Sequence, residues 1–216
     1  MPYTTLFFDL DDTLYPPSTG VWDAIGDRIN LYMQTRVGVP ENEVSELREH
    51  LYRTYGTTLR GLTLTRGIDP HDYLAFVHDL PLRQYLTPDP RVRPLLSRYS
   101  QRKVIFTNAD QAHARRVLDV LELADCFDQI IDVLDVAPYC KPMPGAFEQA
   151  LRLAGETDAR SSVFIDDAPH NLKAPRKACF YTIRVSSGPP NGCCHASIAS
   201  LLDLPTVLDP LLASEA

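Results

Sequence analysis

Three short apolar runs constrain this chain most, because each has no polar face to offer water and each ends at a polar or acidic residue. They are Leu6-Phe7-Phe8-Asp9, Val104-Ile105-Phe106-Thr107 and Ser162-Val163-Phe164-Ile165-Asp166. Such runs belong in strands buried on both sides, which occur in parallel sheets covered by helices. Tyr181 to Val185 has the same character, and Gln129 to Val133 a weaker form of it. Helical patterns lie between the later runs. Ala112 to Leu121 places Val117, Leu118 and Leu121 on one face, and Gly145 to Ala154 does so with Phe147, Ala150, Leu151 and Ala154. This alternation predicts an α/β fold with a doubly wound parallel sheet.

The stretch from Pro16 to Thr87 breaks the alternation, for it holds helical patterns only. Val21, Ile25, Ile29 and Tyr32 share a face, as do Val44, Leu47 and Leu51, and then Tyr73, Leu74, Phe76 and Val77. Pro16-Pro17 at one junction and Pro88 and Pro90 at the other mark it as an insertion. The expected division is a core of residues 1–15 and 88–216 with a helical cap of residues 16–87. Ser186 to Ser197, rich in Ser, Gly and Pro, reads as a surface loop, and Leu201 to Leu212 as a last strand-turn-helix remnant.

Composition bounds the partners. The 216 residues carry a net charge of −7, which gives no global attraction to nucleic acid polymers or anionic membranes. No apolar run reaches the roughly 18 residues of a membrane span, and the first ten residues enter a strand pattern directly, unlike a signal peptide. The five cysteines are odd in number and none are in C-x-x-C spacing, so a reducing, cytoplasmic setting is expected. Cys193-Cys194-His195 reads as part of a flexible loop, because no second ligand pair with zinc-like spacing accompanies it.

Four groups carry chemistry. Asp9 and Asp11 sit at the carboxyl end of the first run, where ligands of open α/β sheets bind; crowded acids there suit a hard divalent cation, although D-x-D alone fits a solvated acidic turn equally well. Thr107-Asn108 ends the second run with a hydroxyl and free backbone N–H groups. Lys141, one of four lysines, precedes a helix pattern and offers an ammonium to a phosphoryl oxygen. Asp166-Asp167, followed by Asn171, ends the third run. Each alone has an ordinary reading, as a turn, a surface lysine or a helix-start acidic pair; together and in this order they point to phosphate chemistry.

With D-x-D-x-T at Asp9, Asp11 and Thr13, then Thr107-Asn108, Lys141-Pro142 and Asp166-Asp167 with Asn171, the chain resembles the haloacid dehalogenase-like hydrolases. The closer resemblance is to their pyrimidine 5′-nucleotidases, through Leu14-Tyr15-Pro16, Tyr55-Gly56, Arg60-Gly61-Leu62, Phe106-Thr107-Asn108-Ala109, Ala146-Phe147-Glu148 and Phe164-Ile165-Asp166-Asp167. The resemblance implies a Rossmann-like core with a helical cap after the first strand. It implies an Mg²⁺-dependent phosphomonoesterase acting on a small phosphorylated metabolite, a nucleoside monophosphate such as UMP or CMP. A phosphatase of sugar phosphates is the alternative, and a phosphosugar mutase a further one.

Carried over by motif, Asp9 is the nucleophile that forms an aspartyl-phosphate, and Asp11 the general acid and then base. Thr107 and the backbone at Asn108 hold the phosphoryl group, and Lys141 neutralises its charge. Asp9, the Asp11 carbonyl and an acid of the fourth motif hold the metal; alignment with the commoner Gly-Asp form favours Asp167 and leaves Asp166 near Lys141. In the cap, Arg60 would contact a nucleotide, and Tyr15 and Tyr55 a base or ribose. His113 and His170 read as surface or capping residues. Asn171 is expected to cap a helix in which Pro175 falls near the fourth position, and Cys179 to take a left-handed cap where the family usually has glycine.

Overall fold

The computed structural model describes residues 3–188 and 192–213. The apolar runs become strands: β1 (Thr5–Phe8), β2 (Arg102–Phe106), β3 (Gln129–Ile131), β4 (Ser162–Asp166), β5 (Tyr181–Val185) and β6 (Ala196–Ile198). They form one parallel sheet in the order β3-β2-β1-β4-β5-β6. Register sets Phe7 of β1 opposite Val104 of β2 and Phe164 of β4. The direction of winding reverses between β1 and β4, so the crevice beyond their carboxyl ends is the place where this architecture binds ligands.

The period of two divides the strand side chains between the two faces. Phe7, Val104, Phe106 and Phe164 pack with Phe147 and Phe180 in one cluster, where Phe147 meets Phe106 and Phe164 at ring-centroid distances of 5.5 and 5.2 Å. Leu6, Phe8, Ile105, Val163, Ile165 and Ile183 belong to the other cluster, which continues into the helical insertion.

That insertion holds α1 (Val21–Thr35), α2 (Glu41–Tyr55), α3 (Thr58–Arg66) and α4 (Pro70–Val77). The expected faces are the buried ones: Val21, Ile25, Ile29 and Tyr32 of α1, Val44 and Leu51 of α2, Tyr73, Leu74 and Val77 of α4. Thr57 caps α3 by accepting from the Arg60 amide, and Asp69 caps α4 by accepting from His71. Gly61 lets α3 close on α2; a Cβ there would stand 2.7 Å from the Leu51 side chain.

The remaining helices are α5 (Val92–Ser97), α6 (Gln111–Val120), α7 (Pro144–Leu153), α8 (Lys173–Lys177) and α9 (Pro205–Ala213). Three local expectations are corrected. The segment read as a loop contributes β6, which extends the sheet by pairing with β5; Ala-Ser-Ile is too short and too polar to announce a strand. Leu201 to Leu212 holds no strand but a 3-10 turn, capped reciprocally by Ser200 and Asp203, and then α9. Leu172, not Asn171, stands at the N-cap of α8, and Pro175 is its third residue, where the missing N–H would have had no intrahelical partner. Cys179 does take the left-handed conformation, at φ 72°, and its exposed side chain accommodates the turn.

Candidate active site

The strand ends bring acids from distant parts of the chain together. Asp9 follows β1 directly, and its amide still donates to the Ile165 carbonyl at 2.8 Å, which keeps it in the plane of the sheet. Asp166 is the last residue of β4, one strand away. Lys141 arrives from the segment before α7, and its ammonium donates to Asp9 Oδ1 at 2.6 Å and to Asp166 Oδ2 at 2.9 Å. Lys141 is only 1% exposed, with its ammonium 5.4 and 5.5 Å from the ring centres of Phe106 and Phe164. Burial works against its charge, but Asp166 and Asp9 overcome that and hold the ammonium protonated, with a pKa above the ordinary lysine value. Burial pushes Asp9 up, and Asp166 and Asp167 push it the same way against the pull of Lys141.

Asn108 explains why the lysine segment is so well placed. Its side-chain oxygen accepts from the Lys141 amide and its side-chain nitrogen donates to the Lys141 carbonyl, both at 2.9 Å. The Asn108 side chain is therefore a brace for the lysine, and Thr107 stands beside the cavity at the same strand end. The Thr107 hydroxyl accepts from the Ala109 amide at 3.0 Å.

Asp166 and Asp167 are adjacent but differently used. Both Asp166 oxygens are engaged, by Lys141, the Ala168 amide and Asn171. Asn171 thus supports Asp166 rather than capping a helix. The Asp167 side chain makes no hydrogen bond among the described residues, while its amide donates to Thr13 at 3.0 Å. Burial first, then Asp166 and Asp12, push the Asp167 carboxyl up to about 7. Asp12, which the sequence motifs left without a role, sits at φ 60° with a buried Oδ1 that has no partner among the described residues; burial, Asp11 and Asp23 push it up to about 6.

Asp11 lies in the same cleft under different control. Its Oδ1 accepts from Tyr15 Oη at 2.5 Å and from His113 Nε2 at 2.9 Å. Burial alone would raise its pKa, but His113 and the Tyr15 hydrogen bond reverse that and bring it down to about 2. His113 is 0% exposed and is neither a surface nor a capping residue. Tyr15 is committed to Asp11 through its hydroxyl. His170 is half-buried in the turn after β4, near the surface as expected, where Tyr52 of α2 meets its Nε2 at 2.5 Å.

Arg60 stands apart. Its guanidinium donates to the carbonyls of Pro138 and Tyr55, and neither Arg60 nor Tyr55 lines the cavity of about 1320 Å³ that contains the acids. Asp9, Asp11, Thr107, Lys141 and Asp167 line its core side; Trp22, Arg48 and Tyr52 face them from the insertion. In Cys193-Cys194-His195 both thiols are buried, and His195 Nδ1 accepts from Thr182.

A family model described as haloacid dehalogenase-like hydrolase matches residues 3–178. The chain belongs to this family. Phosphate metabolism protein 8 of Saccharomyces cerevisiae is 34% identical over 182 residues, covering 78% of this chain; the chain spans only 57% of that relative's length. Among solved structures, the magnesium-bound YfnB of Bacillus subtilis aligns at TM-score 0.64 and 18% identity over 97% of this chain and 100% of that one. A HAD phosphatase from Thermococcus onnurineus aligns at TM-score 0.65 and 16% identity over 95% and 97%. These two share the fold with this haloacid dehalogenase-like chain.

The donor set fits a hard divalent cation. Oxygens of Asp9, Asp166 and Asp167 lie within 4.8 Å of one another, the one such group among the described residues. The buried, unpartnered oxygen of Asp12 and the upward shifts of Asp12 and Asp167 mark negative charge that a single lysine leaves uncompensated. Carboxylate oxygens with room for water are the ligands Mg²⁺ takes.

Proposed function

We propose that this protein is an Mg²⁺-dependent phosphomonoesterase that works through an aspartyl-phosphate on Asp9, with a pyrimidine nucleoside 5′-monophosphate such as UMP or CMP as substrate. The observation that carries the reading is the buried bridge from Lys141 to Asp9 and Asp166 beside the unengaged Asp167 carboxylate. Asp9, the Asp11 carbonyl and Asp167 would hold the cation, and Asp166 would anchor Lys141. The cation supplies charge neutralisation for a phosphate dianion approaching an anionic nucleophile.

The chain's own groups then have defined tasks. An Asp9 oxygen attacks phosphorus while the bond to the leaving oxygen breaks, and Asp11 gives that oxygen a proton. The product alcohol leaves, and Asp11, now a carboxylate, takes a proton from the water that attacks the aspartyl-phosphate. Inorganic phosphate departs and Asp9 is restored. Lys141 and Thr107 hold phosphoryl oxygens throughout, and positioning of this kind supplies much of the rate. Residues 1–15 and 88–216 form the catalytic core in this reading and residues 16–87 the cap over it. Five free cysteines suit a cytoplasmic location, and no helix among the described residues is long and apolar enough to cross a membrane.

One observation favours a second substrate class, sugar phosphates: Arg60 and Tyr55, the cap residues expected to read a nucleotide, lie outside the cavity. Phosphate release from p-nitrophenyl phosphate, UMP, CMP, AMP and sugar phosphates, with Mg²⁺ and with EDTA, tests both. Turnover requires Mg²⁺ and falls by about a thousandfold or more in Asp9→Asn, the scale of losing a catalytic nucleophile. Metal-independent turnover, or full activity of Asp9→Asn, refutes the mechanism; higher kcat/KM for sugar phosphates refutes the nucleotide assignment.

A further inference from the structure

Two donors from different elements converge on a single oxygen of Asp11. Tyr15 comes from the turn after β1, four residues on, and His113 from the first turn of α6. Both use Oδ1; Oδ2 has no partner among the described residues, and Asp11 lines the cavity. An oxygen that accepts two hydrogen bonds has committed both its lone pairs. With His113 carrying its proton on Nε2, a proton placed there would confront an O–H and an N–H and displace one of them. The proton of the acid form therefore belongs on Oδ2.

His113 makes no other side-chain hydrogen bond among the described residues. Its Nδ1 is buried without a partner among them, a cost that an apolar residue of similar size at this position would not carry. Its ring is held flat against His78, with centroids 4.2 Å apart and planes 22° from parallel. His78 follows α4 directly and is itself fixed by Asp110, from Nδ1 to Oδ1 at 2.6 Å, while Arg116 donates to its carbonyl. The end of a cap helix thus sets the plane of the ring that orients a core carboxylate.

We propose that His113 and Tyr15 are positioning residues for Asp11, directing its transferable proton to Oδ2 and hence to the leaving oxygen of a phosphate ester. The inference rests on the phosphatase reading and adds which residues leave Asp11 with one competent oxygen. It makes the effect of losing these donors depend on the leaving group. An alkoxide is expelled only with a proton, whereas p-nitrophenolate departs without one.

The test is kcat/KM, which reports the steps through phosphoryl transfer to Asp9, for UMP or ribose 5-phosphate, whichever is turned over, and for p-nitrophenyl phosphate. The variants are His113→Leu, Tyr15→Phe and His113→Gln, whose amide restores an N–H near the Nε2 position, each checked for native circular dichroism. General acid catalysis is worth about 10²–10⁴-fold. His113→Leu and Tyr15→Phe are therefore expected to lose about 30-fold or more on the alkyl phosphate and less than about fivefold on p-nitrophenyl phosphate, with His113→Gln recovering most of the loss. Equal losses on both substrates, or His113→Gln no better than His113→Leu, overturn the positioning role. A wild-type protein that hydrolyses none of these esters with Mg²⁺ overturns the phosphatase reading itself, and the inference with it.

Discussion

The two walls of the cavity are built on different principles. On the core side, Asp9, Lys141 and Asp166 are buried and satisfied by one another across the chain. On the insertion side, Trp22 is 49% exposed and Tyr52 42% exposed, and Arg48 spends its hydrogen bonds on the Gly26 carbonyl and Asn30 within the helices. Only Tyr52 of these three reaches across, to His170. The difference teaches where each kind of work is done. Asp9 and Asp166 sit at strand ends, whose backbones are fixed by the sheet, and Lys141 is braced against them by Asn108. Trp22, Arg48 and Tyr52 sit on helix faces, where a side chain can change rotamer at little cost.

If that contrast is right, the largest effect belongs to the core wall. Lys141→Met keeps an apolar stem between Phe106 and Phe164 but leaves Asp9 and Asp166 facing each other uncompensated. Breaking a buried ion pair on one side costs about 3–5 kcal/mol, so the thermal midpoint should fall steeply, and added Mg²⁺ should recover part of it. Circular dichroism melts with and without Mg²⁺ check this. An unchanged midpoint would mean that packing of the strands, and not the charge cluster, holds this wall together.

Tyr52→Phe tests the opposite wall. It removes one hydroxyl and keeps the edge-on ring contact with His170, at a centroid distance of 5.5 Å. The expected change is a few-fold in KM with kcat nearly constant, and about 0.5–1.5 kcal/mol in stability. Steady-state kinetics decide it; a collapse of kcat with KM unchanged would erase the distinction between the walls.

The smallest effect is expected at the seam. Burial holds the His78 pKa below its ordinary 6.5, with His113 acting in the same direction and Asp110 and Asp11 opposing. Between the folded value and 6.5 the unfolded chain binds more protons, so this group's contribution to stability is present above 6.5 and is lost as pH falls below it. Gln can donate to Asp110 but does not titrate. Urea unfolding at about pH 7 and about pH 5.5 should therefore show a shallower loss on acidification in His78→Gln, by at most about 1.4 kcal/mol per pH unit. An identical slope would assign the acid sensitivity to other groups, with His170 and His195, also lowered by burial, the next to vary.

The core wall was far more legible in the sequence than the seam. Phe7-Phe8-Asp9 and Phe164-Ile165-Asp166 announce buried strands with acids at their ends, and both become neighbouring strands of one sheet. His113 carried no such signal: a lone histidine in a helix has no periodicity or motif to separate a buried donor from a surface residue. Its meaning depends on Asp11, 102 residues earlier in the chain, and on His78, 35 residues earlier. Arg60 failed for the converse reason. A basic residue in a cap segment suggested a ligand, but the fold supplied two backbone carbonyls instead.

Short-range order was thus determined by the sequence itself for most of the chain, β6 and the segment after it excepted: which apolar runs are strands, which segments are helices, and which acids end the strands. Backbone sterics and apolar periodicity act over a few residues, and a linear reading captures them. Which oxygen of which acid is left free was decided only by the tertiary structure. Asp166 and Asp167 are equivalent as letters, yet one is saturated by Lys141, Ala168 and Asn171 and the other is not. The reason is that a carboxylate's role follows from the donors within about 3 Å of it, and those donors are gathered by the packing of distant elements.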